Sequence, residues 1–454
     1  MSVTPRTPRG TATAPPRIGQ GANGVAWHTP RRVSRRACSR VGSAHLLRRD
    51  FGGITVRIAF ISPNVGWTQG VAHYVAALST ELARRHEVHV FAGGVETAEL
   101  AGVQVHKVPV LPWGVTALHA SFLTSLPFSY LWQRLVRGGR FDIVHGQGTF
   151  SPFANVVTAH FIESRGPRLL PSQPVGENRG LLRSRVKRWD AHLYTLMASR
   201  LERHSRHKLP AKVAIAVSQN VKEDLLRGFD MPAEQVVVVP NGVDVERFHP
   251  RNRLRHRGPV RLELGLAEGD IVALFVGNYW ERKGLATCVQ AVRSYPDDRL
   301  KLLVVGDGDP AAFVPAEERH AARRRFVFVS RRDGDVERYF AAADLLLFPT
   351  RYEPFGLVIL EALASGLPVV TSARAGAAEY LIHGETGLLL QDPTDTAEVM
   401  AAIGLLLDSP DLPGRLASNG RRLAKQFTWE RIASRTEEAY ESALDLAGDG
   451  QARA

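Results

Sequence analysis

From Val56 onward the chain alternates short apolar runs with amphipathic segments, and it does so twice. VRIAFI (56–61), HEVHVFA (86–92), FDIVHG (141–146), NVVTAH (155–160), VAIAVS (213–218) and QVVVVP (235–240) form the first series. IVALFVG (271–277), KLLVVGDG (301–308), RFVFVS (325–330), DLLLFPT (344–350) and LPVVTS (367–372) form the second. Such β-branched runs, separated by helical spacing, mark parallel strands covered by helices on both faces. Between Val71 and Arg85, for instance, Val71, Val75, Leu78 and Leu82 share one helical face. Pro240-Asn241-Gly242 is a turn signal between the series, and His249 to Gly258 is polar, Arg-rich and without apolar period, which predicts a linker there. The fold class that follows is α/β, with two tandem doubly wound, Rossmann-like domains facing across a cleft. They span residues 54–250 and 259–426, and residues 427–446 follow as a separate segment. A chain of 454 residues suits two such domains, and no short-period repeat suggests a solenoid.

The formal charge of +13 is unevenly placed. Residues 1–50 hold ten arginines against the single Asp50, or +9, which leaves +4 for everything that follows. The body therefore does not present the basic surface of a nucleic-acid binder. The tail, residues 1–53, is rich in Pro, Gly, Ser, Thr and Arg without apolar periodicity and reads as disordered. It has no continuous apolar stretch of the kind a secretory signal needs. Two cysteines, Cys38 and Cys288, make no disulfide framework and fit a reducing cytoplasm. Val108 to Gln133 contains no Lys, Arg, Asp or Glu, but its prolines, Gly114 and His119 argue against a membrane span of about 20 apolar residues. A core helix is the expectation, with a peripheral membrane-facing helix carrying Trp113, Phe122, Phe128 and Trp132 as the alternative.

In doubly wound sheets ligands bind beyond the carboxyl ends of the strands. The densest chemistry lies there: Glu353-Pro354-Phe355-Gly356-Leu357-Val358-Ile359-Leu360-Glu361 follows the strand ending at Pro349. Pro354 and Gly356 close a loop, and a helix starts near Gly356 or Leu357. Amides at that start, aided by the helix dipole, favour a diphosphate. Glu361, just over a turn in, is placed for a ribose diol, and Glu353 can face a sugar. Two unrelated glutamates would more often be solvated surface groups, and the neighbouring motifs decide against that.

This segment resembles the glutamate, seven residues, glutamate signature of retaining glycosyltransferases of family 4, which have the GT-B fold. Phe275-Val276-Gly277-Asn278 followed by Glu281-Arg282-Lys283-Gly284 resembles the family's phosphate-binding stretch. Many members carry arginine where this chain has Asn278; Arg282 takes that place, as in the lipopolysaccharide-core glycosyltransferases the variant resembles. Gln69-Gly70-Val71 resembles the glycine loop beneath the donor phosphate, and Val157-Thr158-Ala159-His160 the strand whose histidine contacts the transferred sugar. Val304-Val305-Gly306-Asp307-Gly308, Gly376-Ala377-Ala378-Glu379 and Pro240-Asn241-Gly242-Val243-Asp244 match in order. The resemblance implies Glu353 and His160 as catalytic residues. It implies Gly70, Gly277, Arg282, Lys283, Phe355, Gly356, Leu357, Val358 and Glu361 as the donor site.

The expected activity is transfer of a sugar from a nucleotide-sugar donor, with retention, to a cell-envelope or lipid-linked glycan. No cofactor and no metal are expected, because a basic pair can neutralise the leaving diphosphate. The location expected is the cytoplasm, at the inner face of the membrane. The segment from Glu163 to Lys212, with Arg165, Arg168, Arg179, Arg183, Arg185, Lys187 and Arg188, is read as an anionic-acceptor or membrane contact, or equally as a solvated helix. A nucleotide-sugar epimerase or hydrolase, and a non-enzymatic polyanion binder using the tail, are the competing readings.

Overall fold

The computed structural model describes residues 55–67, 70–96, 100–136, 140–148, 153–162, 181–205, 211–320, 325–330 and 335–451. The tail with Cys38, Gln69 of the glycine loop, and Arg165, Arg168 and Arg179 lie outside them, with Arg183, Arg185, Lys187 and Arg188 described in backbone only.

Among the described residues seven parallel strands build the first sheet: β1 (Arg57–Val65), β2 (Glu87–Val95), β3 (Val103–Lys107), β4 (Ile143–Gln147), β5 (Val156–Ala159), β6 (Val213–Ala216) and β7 (Val236–Val238), in the order β3-β2-β1-β4-β5-β6-β7. The second holds β8 (Ile271–Val276), β9 (Leu300–Val305), β10 (Phe326–Val329), β11 (Leu345–Phe348), β12 (Val369–Ser372) and β13 (Leu388–Leu390), in the order β10-β9-β8-β11-β12-β13. Both sheets reverse direction of winding beside their first strand, as the apolar runs predict for two doubly wound halves. The central strands β4, β5, β6, β9, β11 and β12 are buried at every residue, which explains why their sequences do not alternate. The reading omits two edge strands: β3, with an exposed, polar face, and β13, only 3 residues long.

The sequence places a structureless linker at His249 to Gly258, and the structure corrects this. A helix runs Asn252–Glu263 through Gly258 and Pro259. Its period is carried by arginines rather than apolar residues. Arg253, Arg257 and Arg261, four apart, converge on Asp344 at the start of β11. Arg257 Nη2 meets Oδ1 and Arg261 Nη2 meets Oδ2, each at 2.6 Å, and Arg253 Nη2 lies 3.4 Å from Oδ1. Arg261 is buried and also donates to the carbonyls of Ala342, Ala267, Glu268 and Asp270. Hydrophobic patterning cannot register such a face, although i, i+4 spacing puts it on one side of a helix.

The last helix, Trp429–Gln451, packs on the helix Gly70–Leu82 and on β5 and β6 of the first sheet. Ile432, Thr436, Tyr440 and Ala443 form its buried stripe. The chain's two crossings between halves run side by side, Val243 N–H donating to Phe427 O at 2.7 Å. The uncharged stretch forms the helix Val115–Val136, split by face: Phe122 and Leu126 are buried, whereas Phe128 and Trp132 are 77% and 68% exposed. Phe122 is therefore core, a correction to the membrane-facing alternative. Among the described residues no helix is long and apolar enough to cross a membrane.

Asp344→Ala should destabilise the protein by about 3 kcal/mol, because it strands paired guanidinium groups. Arg253→Ala, which removes the long, partly exposed member, should cost under about 1 kcal/mol. Urea unfolding of the two variants beside the parent checks the contrast.

Candidate active site

The loop after β11 is shaped by backbone contacts to the segment after β8. Arg351 N–H donates to Arg282 O at 2.9 Å, and Thr350 Oγ1 bonds Tyr352 O at 3.1 Å. This brings the Glu353 carboxylate onto the basic pair: Oε2 lies 2.7 Å from Lys283 Nζ and 3.3 Å from Arg282 Nη1, which also donates to Tyr352 O at 2.6 Å. About 12% of the Glu353 side chain is exposed. Burial pushes its carboxyl up, but the Lys283 and Arg282 charges and hydrogen bonds outweigh that and hold it below the usual range. The group is an anion at neutral pH. Lys283 Nζ sits 4.9 Å from the centre of the Phe348 ring and Arg282 5.7 Å from that of Tyr279, so aromatic faces flank both cations.

Gly356, with φ 98°, turns the loop into the helix Leu357–Ala364 in a conformation that favours glycine. Phe355 and Val358 are buried side chains and Leu357 is half-buried, so these residues offer a ligand their backbone. Glu361 is half-buried on the fifth residue of the helix. Gly277 ends the β8 segment, and the Lys283 side chain packs over it. Asn278 does not join the basic pair: its Oδ1 accepts from Asp307 N–H at 2.9 Å, tying two loops of the site together. The segment Gly376–Tyr380 backs the Glu353 loop, with Gly376 N–H donating to Glu353 O at 2.9 Å and Ala377 N–H to Phe355 O at 2.7 Å.

The same segment meets the first half. A Cβ on Gly376 would fall 2.1 Å from Pro354 O and 2.7 Å from Ser218 Cβ, so only glycine permits this approach. Glu379 then accepts from the amides of Gln219 at 2.9 Å and Asn220 at 3.1 Å, capping the helix Gln219–Gly228 from across the chain. The Glu353 loop is thus two contacts away from the carboxyl end of β6.

His160 follows β5 on that side of the first sheet. Its Nε2 lies 2.9 Å from Gln147 Oε1 at the end of β4, and its ring packs edge-on to Tyr74 at 4.8 Å. An amide oxygen only accepts, so the ring proton sits on Nε2 and leaves Nδ1 as an acceptor. Burial pushes the His160 pKa down to about 4. Beneath it His145, fully buried and pushed down to about 3, joins Tyr440 OH through Nδ1 and Thr158 Oγ1 through Nε2, both at 2.7 Å; Thr158 lies 3.3 Å from Tyr74 OH. Gly70 begins its helix in the open, and a Cβ there would meet no protein atom. Gln147 and Tyr74 are absent from the sequence reading. Gln147 had a signal, since it is a polar residue at the carboxyl end of a strand beside the switch in winding.

A family profile described as Glycosyltransferase Family 4 matches residues 68–247, and one described as Glycosyl transferases group 1 matches residues 259–423. The MMP alpha-(1→4)-mannosyltransferase of Mycolicibacterium hassiacum is 31% identical over 421 residues, 83% of this chain and 95% of that protein. Among solved structures, WaaG, a glycosyltransferase involved in lipopolysaccharide biosynthesis, aligns with a TM-score of 0.66 at 22% identity, over 84% of this chain and 98% of its own. HepE of Anabaena, in complex with UDP and glucose, aligns at 0.64 with 20% identity, over 85% of this chain and all of its own (100%).

His145 and His160 set an acid limit on stability. Above an unfolded pKa of about 6.5 both rings are neutral in both states. As pH falls from there toward about 4 for His160 and about 3 for His145, the unfolded chain binds protons that the folded one refuses, and stability drops. His160→Gln should make stability fall less steeply between pH 6.5 and 4, measured by urea unfolding across that range.

Proposed function

We propose, from the premise that the chain belongs to glycosyltransferase family 4, that it moves a sugar from a nucleotide-diphosphate donor to a cell-envelope or lipid-linked glycan with retention at the anomeric carbon. The enzyme class, a glycosyltransferase with a GT-B fold, follows from the family. The observation that carries the donor assignment is the Glu353, Arg282 and Lys283 cluster beside the helix start at Gly356. When the bond between C1 and the diphosphate oxygen breaks, the electron pair leaves with the phosphate. Lys283, Arg282 and the backbone amides near Gly356 neutralise it, a task that calls for no metal ion. Glu353, anionic in the neutral range, stabilises positive charge at the sugar or accepts its hydroxyls, and is not an acid donor. His160 offers Nδ1 to a sugar hydroxyl, and Glu361 takes the ribose diol. Gly70, with open space above it, lets the donor phosphate approach the helix N-terminus, as the amides there favour. A donor of the UDP-sugar type is supported by the structural likeness to HepE, whose complexes hold UDP and UDP-glucose.

The acceptor side supports a peripheral membrane contact at the inner face of the membrane. Phe128, Leu131, Trp132 and Leu135 crowd the exposed end of the helix Val115–Val136, with Arg134 in its last turn. Aromatic and basic side chains together suit an anionic interface.

A panel of nucleotide sugars, scored by thermal shift and by nucleoside diphosphate release, tests the donor site. One donor should stabilise the protein; Glu361→Ala should weaken its binding about 10- to 100-fold, and Lys283→Ala should slow release about 10²- to 10³-fold. Silence across the panel from folded protein would contradict the assignment. On anionic liposomes, the Phe128→Ser/Trp132→Ser protein should float less than the parent; equal flotation would remove this face from the membrane contact.

A further inference from the structure

Winding of the first sheet reverses between β1 and β4, and a cavity opens beyond the carboxyl ends of those two strands. Pro63 and Gln147 come to it from the strands, Phe122 and Leu123 from the helix Val115–Val136, and Met197 and Ala198 from the helix Leu181–Ser205. Two further polar residues reach it, His119 and Tyr194, but their rings pack on each other at 4.6 Å and His119 Nδ1 bonds Val115 O at 2.8 Å. Gln147 is different. It is 8% exposed, its Oε1 is occupied by His160, and its Nε2 is a buried donor with no partner among the described residues. A buried amide N–H left unpaired is costly, which points to a ligand that supplies an acceptor.

The cavity's volume is about 30 Å³, room for a few heavy atoms and too little for an alkyl chain. Water suits it poorly, because among the described lining residues Gln147 Nε2 is the one buried donor left unpaired, fewer partners than an ordered water takes. A small group with one carbonyl oxygen and one methyl fits both demands. We infer that this cavity is a subsite for the acetyl group of an acetamido sugar, its methyl against Phe122, Leu123 and Ala198 and its carbonyl oxygen accepting from Gln147 Nε2–H. The inference rests on the transferase reading above and names its substrate class. Apart from Gly70, the residues proposed for the nucleotide lie on the other half, so the acetamido sugar is the acceptor. Gln147, bonded to His160 on one side and to the acetyl oxygen on the other, holds the acceptor beside the reacting sugar.

Saturation-transfer NMR on the full chain tests this with methyl glycosides of N-acetylglucosamine and N-acetylgalactosamine, the corresponding glucoside and galactoside, and UDP-N-acetylglucosamine beside UDP-glucose. At least one acetylated glycoside should bind tenfold or more tightly than its plain counterpart, with the acetyl methyl receiving the strongest saturation. Ala198→Leu, which fills the cavity, and Gln147→Glu, which removes the donor, should each abolish that preference; either variant suffices if the other does not fold. Equal binding of acetylated and plain glycosides overturns the inference, as does an acetyl preference confined to the UDP sugars, which assigns the cavity to the donor. The glycosides are read with no nucleotide present. The donor thermal shift therefore decides the transferase reading separately.

Discussion

A carboxylate held between two cations in a nearly dry loop is the constraint around which this site is organised. Glu353 would be costly to bury alone, and Lys283 and Arg282 would repel each other without it. Its backbone reaches Gly376, which in turn touches Ser218 on the other half. The cluster therefore fixes the loop geometry, the placement of the cations and the approach of the two halves at once. It also has a chemical consequence. The charges expected to receive a diphosphate already have an anion beside them, so donor binding exchanges or shares partners rather than filling an empty pocket.

Most of the architecture was legible because parallel strands buried on both faces have to be apolar along their length, and all strands of that kind were found. Two of the four edge strands were not, since β3 carries a polar face and β13 is too short to show a pattern. The helix Asn252–Glu263 was missed for a related reason: its order lies in Arg253, Arg257 and Arg261 meeting Asp344, a residue 83 positions beyond Arg261. Apolar spacing carries no trace of that pairing.

At the candidate site, strand ends and glycines point to a place for chemistry, but not to what pairs with what. Glu353 reads as a sugar-facing group and Arg282 with Lys283 as phosphate binders, yet these side chains bond one another across 70 and 71 positions of sequence. The stack under His160 is equally non-local. Tyr440 comes from the last helix, 295 residues from the His145 it bonds, so the closing helix helps to set the floor of the first half's site. Neutral, desolvated histidines in that stack make sense as rigid hydrogen-bonding parts rather than charges.

The most direct measurement is calorimetric titration of the parent and Glu353→Gln with ADP, GDP and UDP. If the basic pair serves both Glu353 and the diphosphate, at least one nucleotide binds the parent, and Glu353→Gln binds it as tightly or more tightly, because a competing negative charge is gone. Weaker nucleotide binding by Glu353→Gln than by the parent, or no binding of any nucleotide by folded protein, would contradict the account.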